Sequence, residues 1–87
     1  MTLTSKKIDL DFPLTISGTS VSQLSMRCPT LDDQIRSQDS EKSTTLQEVR
    51  LFADLCEVPP DDLRRIAMPD YIKLQRVYRA FFPAESE

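Results

Sequence analysis

Two pairs of neighbouring carboxylates are the residues of this sequence that could carry acid–base chemistry. They are Asp32–Asp33 and Asp61–Asp62. Neighbouring residues on a helix point in different directions, and each pair lies at the start of a predicted helix, where carboxylates cap amides and oppose the helix dipole. The 87-residue chain contains no histidine, which removes the commonest general base at neutral pH. We therefore expect no catalytic residues and predict that the protein is not an enzyme.

Cys28 and Cys56 are the residues available for thiol or metal chemistry. Without CxxC spacing and without histidine they cannot supply the four ligands of a structural zinc site. Each lies in an apolar pattern, so buried free thiols are favoured over the alternative, a disulfide. Gly18 is the only glycine of the sequence, so glycine-rich phosphate loops are also missing. The sequence predicts no metal and no cofactor.

A basic stripe, Lys73, Arg76 and Arg79, recurs along the last predicted helix. Such a stripe could bind nucleic acid. The net charge is −3, however, which repels phosphate at long range, and cations are common near the carboxyl end of a helix. A solvated face is therefore favoured, with no nucleic-acid partner.

The same helix is rich in large apolar side chains, which occupy more than one of its faces. They are Tyr71, Ile72, Leu74, Val77, Tyr78, Phe81 and Phe82. Tyrosine and phenylalanine are common interface anchors, and one short helix in a small fold buries only one side. Our hypothesis is that Tyr78, Phe81 and Phe82, with Leu74 behind them, form a surface for a partner protein or for self-association. The remaining aromatic residues would fill the core.

A β-hairpin over about 6–27 is predicted at the amino end. Residues 6–12 alternate, with Ile8, Leu10 and Phe12 on the buried side, and Pro13 ends the run. Residues 21–27 form the second strand, and Gly18 supplies the positive φ of the turn between them.

Four helices are predicted after the hairpin, over about 31–38, 45–57, 60–67 and 69–82. Thr30 with Asp33, and Thr45 with Glu48, have the spacing of capping pairs. In the second helix Leu46, Val49, Ala53 and Cys56 recur at helical spacing, with Phe52 and Leu55 widening the stripe. The pattern predicts a single α+β domain, with a mobile polar linker over 38–45 and a frayed acidic tail over 84–87.

The amino-terminal residues do not resemble a signal peptide, since alternating rather than continuous hydrophobicity follows their charges. No apolar run approaches the roughly 20 residues needed to cross a bilayer. We therefore expect no membrane association.

The order and spacing of several short motifs resemble the small tail assembly chaperones of Mu-like and P2-like contractile-tailed phages. The motifs are an Arg-x-Pro-Thr-x-x-Asp junction at 27–33, the helix over 46–56, and Asp-Tyr-x-x-Leu at 70–74 followed by Phe81 and Phe82. The resemblance covers about residues 8–82. The positions that match the family's recurring pattern are Arg27, Pro29, Asp33, Asp70, Tyr71 and Leu74. Arg27 and Asp33 could pair across the junction, and Asp70 could cap the last helix.

This resemblance implies a protein of the host cytoplasm, absent from the mature virion, that binds the tape measure protein, keeps it soluble and helps recruit tail tube subunits. It also implies association with a longer frameshift product sharing the same amino-terminal domain. Two alternatives stay open: a small nucleic-acid-binding regulator that uses the basic stripe, and a structural tail or adaptor component.

Overall fold

An antiparallel β-hairpin is followed by four helices in the computed structural model, which describes residues 4–40 and 42–82. The elements are β1 (Ser5–Ile16), β2 (Thr19–Arg27), α1 (Leu31–Ser40), α2 (Thr44–Cys56), α3 (Pro60–Leu63) and α4 (Met68–Ala80). The predicted α+β class is confirmed. None of the helices in the described ranges has the length and apolar character that a bilayer crossing requires.

The hairpin turn is formed by Ser17 and Gly18, both at positive φ (51° and 83°). This is the geometry of a two-residue turn whose twist matches that of the strands. The positive φ predicted for Gly18 is confirmed, and Ser17 shares it. Because serine has a Cβ, the Ser17 conformation is less favourable than that of the glycine beside it.

Strand β1 does not end at Pro13, contrary to the prediction. Asp9 pairs with Gln23 and Leu14 pairs with Val21, so residues 10–13 of β1 bulge out opposite one residue of β2. Pro13 lies in this bulge, where its missing N–H removes no ladder hydrogen bond. The bulge also corrects the prediction for Phe12, whose side chain is 56% exposed rather than buried with the even-numbered residues of the strand.

The core forms where one face of the hairpin meets α2, α3 and α4. The sheet contributes Ile8, Leu10, Leu14, Leu24 and Met26, and the helices contribute mainly Leu51, Phe52, Leu55, Leu63, Tyr71 and Leu74. The rings of Phe52 and Tyr71 lie 5.7 Å apart and tilted, a favourable aromatic geometry. The hairpin therefore depends on the helices for its apolar cover, as two-stranded sheets generally do.

Most of the described residues of the polar region 38–45, predicted as a linker, are helical, and residue 41 lies outside the described residues. Helix α1 continues to Ser40 and α2 begins at Thr44. The cap of α2 is Ser43, whose Oγ accepts the Leu46 amide at 3.5 Å. The predicted capping pair of Thr45 and Glu48 is therefore wrong, because the helix starts earlier and Glu48 bonds to residues of α4 instead.

The remaining helices differ from the predictions mainly at their ends. Helix α2 ends at Cys56 and is capped by Glu57, whose backbone is left-handed (φ 57°). Leu46 at its other end is exposed rather than part of the buried stripe. Helix α3 is a single turn, shorter than predicted, and α4 begins at Met68 with Pro69 in its first turn. The predicted tail 84–87 lies outside the described residues.

Candidate protein-binding surface

Helix α1 packs against the rest of the protein through polar side chains. Asp33, near the start of the helix, is buried on this packed face. Arg27 donates two hydrogen bonds of 2.7 Å to the two carboxylate oxygens of Asp33. Thr30 and Asp33 also cap each other, with amide-to-side-chain distances of 2.9 and 3.3 Å. The bonds from Arg27 hold the pKa of Asp33 well below its usual range, although burial opposes this shift. The predicted Arg27–Asp33 pair and the Thr30–Asp33 capping pair are both confirmed.

The apolar residues of α1 consequently face solvent. Leu31 is 76% exposed and Ile35 is 47% exposed, and their four-residue spacing places them on one side of the helix. Asp33 and Ser37, spaced in the same way, are the buried positions. This reverses the usual arrangement, in which a surface helix buries its apolar side chains and exposes its polar ones.

The carboxyl end of α4 extends this apolar surface. Phe82 is 53% exposed and lines a shallow groove together with Leu31 and Pro29. Its ring contacts Tyr78 edge-on at 5.2 Å, and Tyr78 in turn contacts the core residue Phe52 at 5.4 Å. Leu31, Ile35 and Phe82 are called the α1–α4 patch below. This patch is anchored to the core through Tyr78.

The four side chains predicted as a partner surface lie at different depths. Phe82 is exposed, whereas Tyr78 and Phe81 are half-buried against the core, and the Nζ of Lys6 lies 5.3 Å from the centre of the Phe81 ring. Leu74 is 0% exposed. Because it has no accessible surface, we remove Leu74 from the proposed partner surface.

Sequence reasoning missed Leu31 and Ile35. Their spacing is visible in the sequence, but a helix with apolar residues at two positions is normally expected to bury them. The expected pairing of Arg27 with Asp33 was the available signal, since that bond holds the opposite face of the helix against the protein.

A second apolar groove lies between the start of α2 and the α3–α4 connection. Leu46 and Met68 are exposed on its rim, and Val49 and Ile66 are half-buried in its walls. It is separate in its lining residues from the α1–α4 patch. It therefore offers a built-in comparison surface for mutational tests.

Asp70 holds the bulge of β1 and does not cap α4. Its carboxylate accepts the backbone amides of Asp11 and Phe12 at 2.8 and 2.9 Å, and α4 has no side-chain cap. Burial acts to raise the pKa of Asp70, but those amides and the charge of Lys73 outweigh burial and lower it. The capping role predicted for Asp70 is therefore wrong.

Tyr71, the neighbour of Asp70 in the family pattern, is also structural. Its ring is buried in the core and its hydroxyl donates a hydrogen bond to Glu48. Burial, together with the bond to Glu48, raises the pKa of Tyr71. Gln75 donates to the same carboxylate at 2.8 Å, so Glu48 joins α2 to α4.

The three residues of the predicted basic stripe differ in their surroundings: Lys73 is paired with carboxylates, whereas Arg76 and Arg79 are exposed. The Nζ of Lys73 lies 3.0 Å from Asp11 and 3.6 Å from Asp70, and its bond to Asp11 is the main reason that its pKa is raised. Arg76 and Arg79 are exposed. With its first member paired to carboxylates, the stripe presents less positive charge than the sequence suggests.

The cysteine and carboxylate side chains do not cluster into a metal or thiol site in the part of the chain that the structure describes. Within residues 4–40 and 42–82, no three Cys, Asp or Glu side chains are placed to hold a metal ion. Both thiols are free, as predicted, but the burial predicted for Cys28 is wrong, because it is partly exposed. Cys56 is buried, and that burial raises its pKa to about 12. Its thiol is therefore protonated at neutral pH.

A family model described as phage tail assembly chaperone proteins, E, or 41 or 14, matches residues 7–83. No curated protein and no solved structure matches the chain.

Proposed function

Because the chain belongs to the phage tail assembly chaperone family, we propose that it binds the tape measure protein, keeps it soluble and helps recruit tail tube subunits. The family role is non-enzymatic and implies protein partners in tail assembly. The tape measure protein is the client in this proposal.

The observation that carries the proposal is the α1–α4 patch. A helix that exposes Leu31 and Ile35 while burying Asp33 presents apolar surface that residues 4–40 and 42–82 leave uncovered. Apolar surface rimmed by polar residues is typical of protein-binding sites. A shallow groove beside an apolar helix face suits an amphipathic helix, which docks through residues repeating every three or four positions.

The small size of the patch supports weak binding at each site. Apolar burial contributes about 25 cal/mol per Å², and ordering of the partners offsets part of it. Many copies bound along one long client would bind strongly together and still be released one at a time. This behaviour suits a chaperone that arriving tube subunits must displace.

The cellular setting is part of the same proposal. The protein acts in the host cytoplasm during assembly of a contractile tail and is absent from the mature virion. It associates there with a longer frameshift product that shares its amino-terminal domain.

The direct test is co-expression with a tape measure protein. We expect Leu31→Ser, Ile35→Ser and Phe82→Ser to reduce the soluble fraction of the client while far-ultraviolet circular dichroism is unchanged. Met68→Ser, which alters an exposed residue of the second groove, is the matched control and should keep the client soluble. Equal solubilisation by all four variants would exclude the α1–α4 patch as the client site.

Phe81→Ser in combination with Phe82→Ser separates the core from the surface. Phe81 is half-buried, so the double variant should lose stability, whereas Phe82→Ser alone should lose mainly client binding.

The two alternative functions have their own signatures. Salt-dependent retention on DNA would indicate a nucleic-acid-binding regulator, and presence in purified tails would indicate a structural component.

A further inference from the structure

The outer edges of β1 and β2 differ in how well they are protected from pairing with another chain. The outer edge of β1 carries four charged side chains, a proline and the bulge. Helix α4 also covers it: Lys73 donates to the Asp9 carbonyl at 3.0 Å, and Asp70 accepts the amides of Asp11 and Phe12. Charges, proline and bulges are the devices that keep an edge strand from pairing with another chain.

Strand β2 has none of these devices from Thr19 to Met26. That stretch contains no charged residue and no proline. A groove beside it is lined by Gln23 and Ser25, by Leu55 of α2 and by Val58 just beyond that helix, with Ser5 and Ile16 of β1. Gln23 and Ser25 are both exposed, which leaves the outer edge of β2 accessible.

The hydrogen-bond register identifies which backbone groups point outward from β2. The Cys28 amide donates to the Thr4 carbonyl at 3.1 Å, which makes those two residues a hydrogen-bonded pair. Hydrogen-bonded pairs alternate with non-hydrogen-bonded pairs along an antiparallel ladder. Gln23, opposite Asp9, and Ser25, opposite Lys7, therefore belong to non-hydrogen-bonded pairs. Their N–H and C=O groups consequently point away from β1. Within residues 4–40 and 42–82 these groups have no partner.

We propose that β2 pairs with β2 of a second copy of this chain, forming a four-stranded antiparallel sheet across a two-fold axis. With the axis at Leu24, Gln23 of each copy lies opposite Ser25 of the other. Each of these two pairs exchanges two backbone hydrogen bonds, so the outward groups of both residues are satisfied in both copies.

The charge distribution argues for a second copy as the occupant. Each chain carries a net charge of −3, so two copies repel at long range, but the strands that meet contribute no charge between Thr19 and Met26. Strand β2 thus meets both requirements of a symmetric contact with itself. Its hydrogen-bonding groups match in register, and no like charges lie opposite each other. The surface is separate in its residues from the α1–α4 patch and does not depend on the proposed client.

The first test is the mass and amide exchange of the wild-type chain. Sedimentation equilibrium should show a species of twice the 10.0 kDa chain mass as concentration rises. Amide exchange at Gln23 and Ser25 should slow by at least about tenfold over the same range. A monomer at all concentrations would overturn the proposal. So would a dimer in which these two amides exchange rapidly, or protection that appears only when a client is added.

Two variants and one control complete the test. Ser25→Pro removes an outward N–H without removing a bond to β1, and should weaken the dimer by roughly thirtyfold through loss of two of the four bonds. Ser25→Glu faces Lys7 within its own hairpin but introduces like charges across the axis, and should also dissociate the dimer, even if the proline variant fails to fold. Thr15→Glu adds the same charge to β1, away from the proposed contact, and should leave the dimer intact. Equal weakening by Thr15→Glu and Ser25→Glu would show that net charge, not the β2 edge, governs association.

Discussion

Arg27 at the end of β2 donates two parallel hydrogen bonds to the buried carboxylate of Asp33 on α1. This pair determines which side of α1 lies against the protein and therefore which side is left exposed. The exposed side contains Leu31 and Ile35, so a polar contact at the strand–helix junction creates the apolar surface that we assign to client binding.

Asp33→Ala should be strongly destabilising. Removing one partner of a buried ion pair typically costs about 3–5 kcal/mol, and since Arg27 is partly exposed we expect about 2–4 kcal/mol in the free energy of unfolding, measured by urea denaturation. Asp32→Ala is the control. Its exposed pair with Arg36, at 3.3 Å, should contribute less than about 1 kcal/mol. Similar losses in the two variants would contradict the role given to Asp33.

Asp70→Asn should loosen the bulge of β1. The amide side chain has one acceptor oxygen where the carboxylate has two, so one of the amides of Asp11 and Phe12 loses its partner, at a cost of roughly 1–3 kcal/mol. Amide hydrogen exchange at these two residues should accelerate. Unchanged exchange there would mean that the bulge forms without the carboxylate.

Stability should fall on acidification. The pKa values of Asp33 and Asp70 are lowered in the folded protein, so the unfolded chain binds more protons at acid pH and folding is favoured by higher pH. Their contribution is complete above the unfolded pKa of about 3.9 and is lost as pH falls through the folded values. Urea denaturation between pH 6 and about pH 2 measures this loss. Asp33→Asn should have a shallower pH dependence than wild type, and a flat wild-type profile would refute the linkage.

Glu57→Gly should stabilise the protein. Glu57 ends α2 in the left-handed region at φ 57°, where glycine avoids the steric cost of a Cβ. We expect a gain of about 0.5–1 kcal/mol in thermal or urea unfolding. Glu57→Ala removes the same charge without relieving the backbone, so it should give no comparable gain.

The two thiols should differ in reactivity. Cys56 is buried and its pKa is raised to about 12, so very little thiolate forms at neutral pH. A thiol reagent should modify the half-exposed Cys28 in the native protein and reach Cys56 only on unfolding. Mass spectrometry would measure the rate of modification at each residue. Equal rates for the two would contradict the packing of α2 described above.

Local features of the fold could be predicted from the sequence because their partners are neighbours in the chain. The turn at Gly18 and the Thr30–Asp33 cap each depend on a few consecutive residues. The bulge could not be predicted in this way, since Asp70 binds an amide 59 residues away. The exposed face of α1 was not predicted, although the Arg27–Asp33 pair that sets its orientation was expected, because apolar residues at helical spacing are normally buried. The family membership was recognisable from the sequence, but the surface that we assign to the client required these tertiary contacts.

The contact between Asp70 and Asp11 also bears on how the chain is synthesised. Protein synthesis proceeds from the amino end, so the first half of the hairpin leaves the ribosome long before the residue that fixes its bulge. The turn at Ser17 and Gly18 can close early, but β1 cannot reach its final shape until α4 has emerged. The amides of Asp11 and Phe12 therefore gain their acceptor only after the last helix has been synthesised.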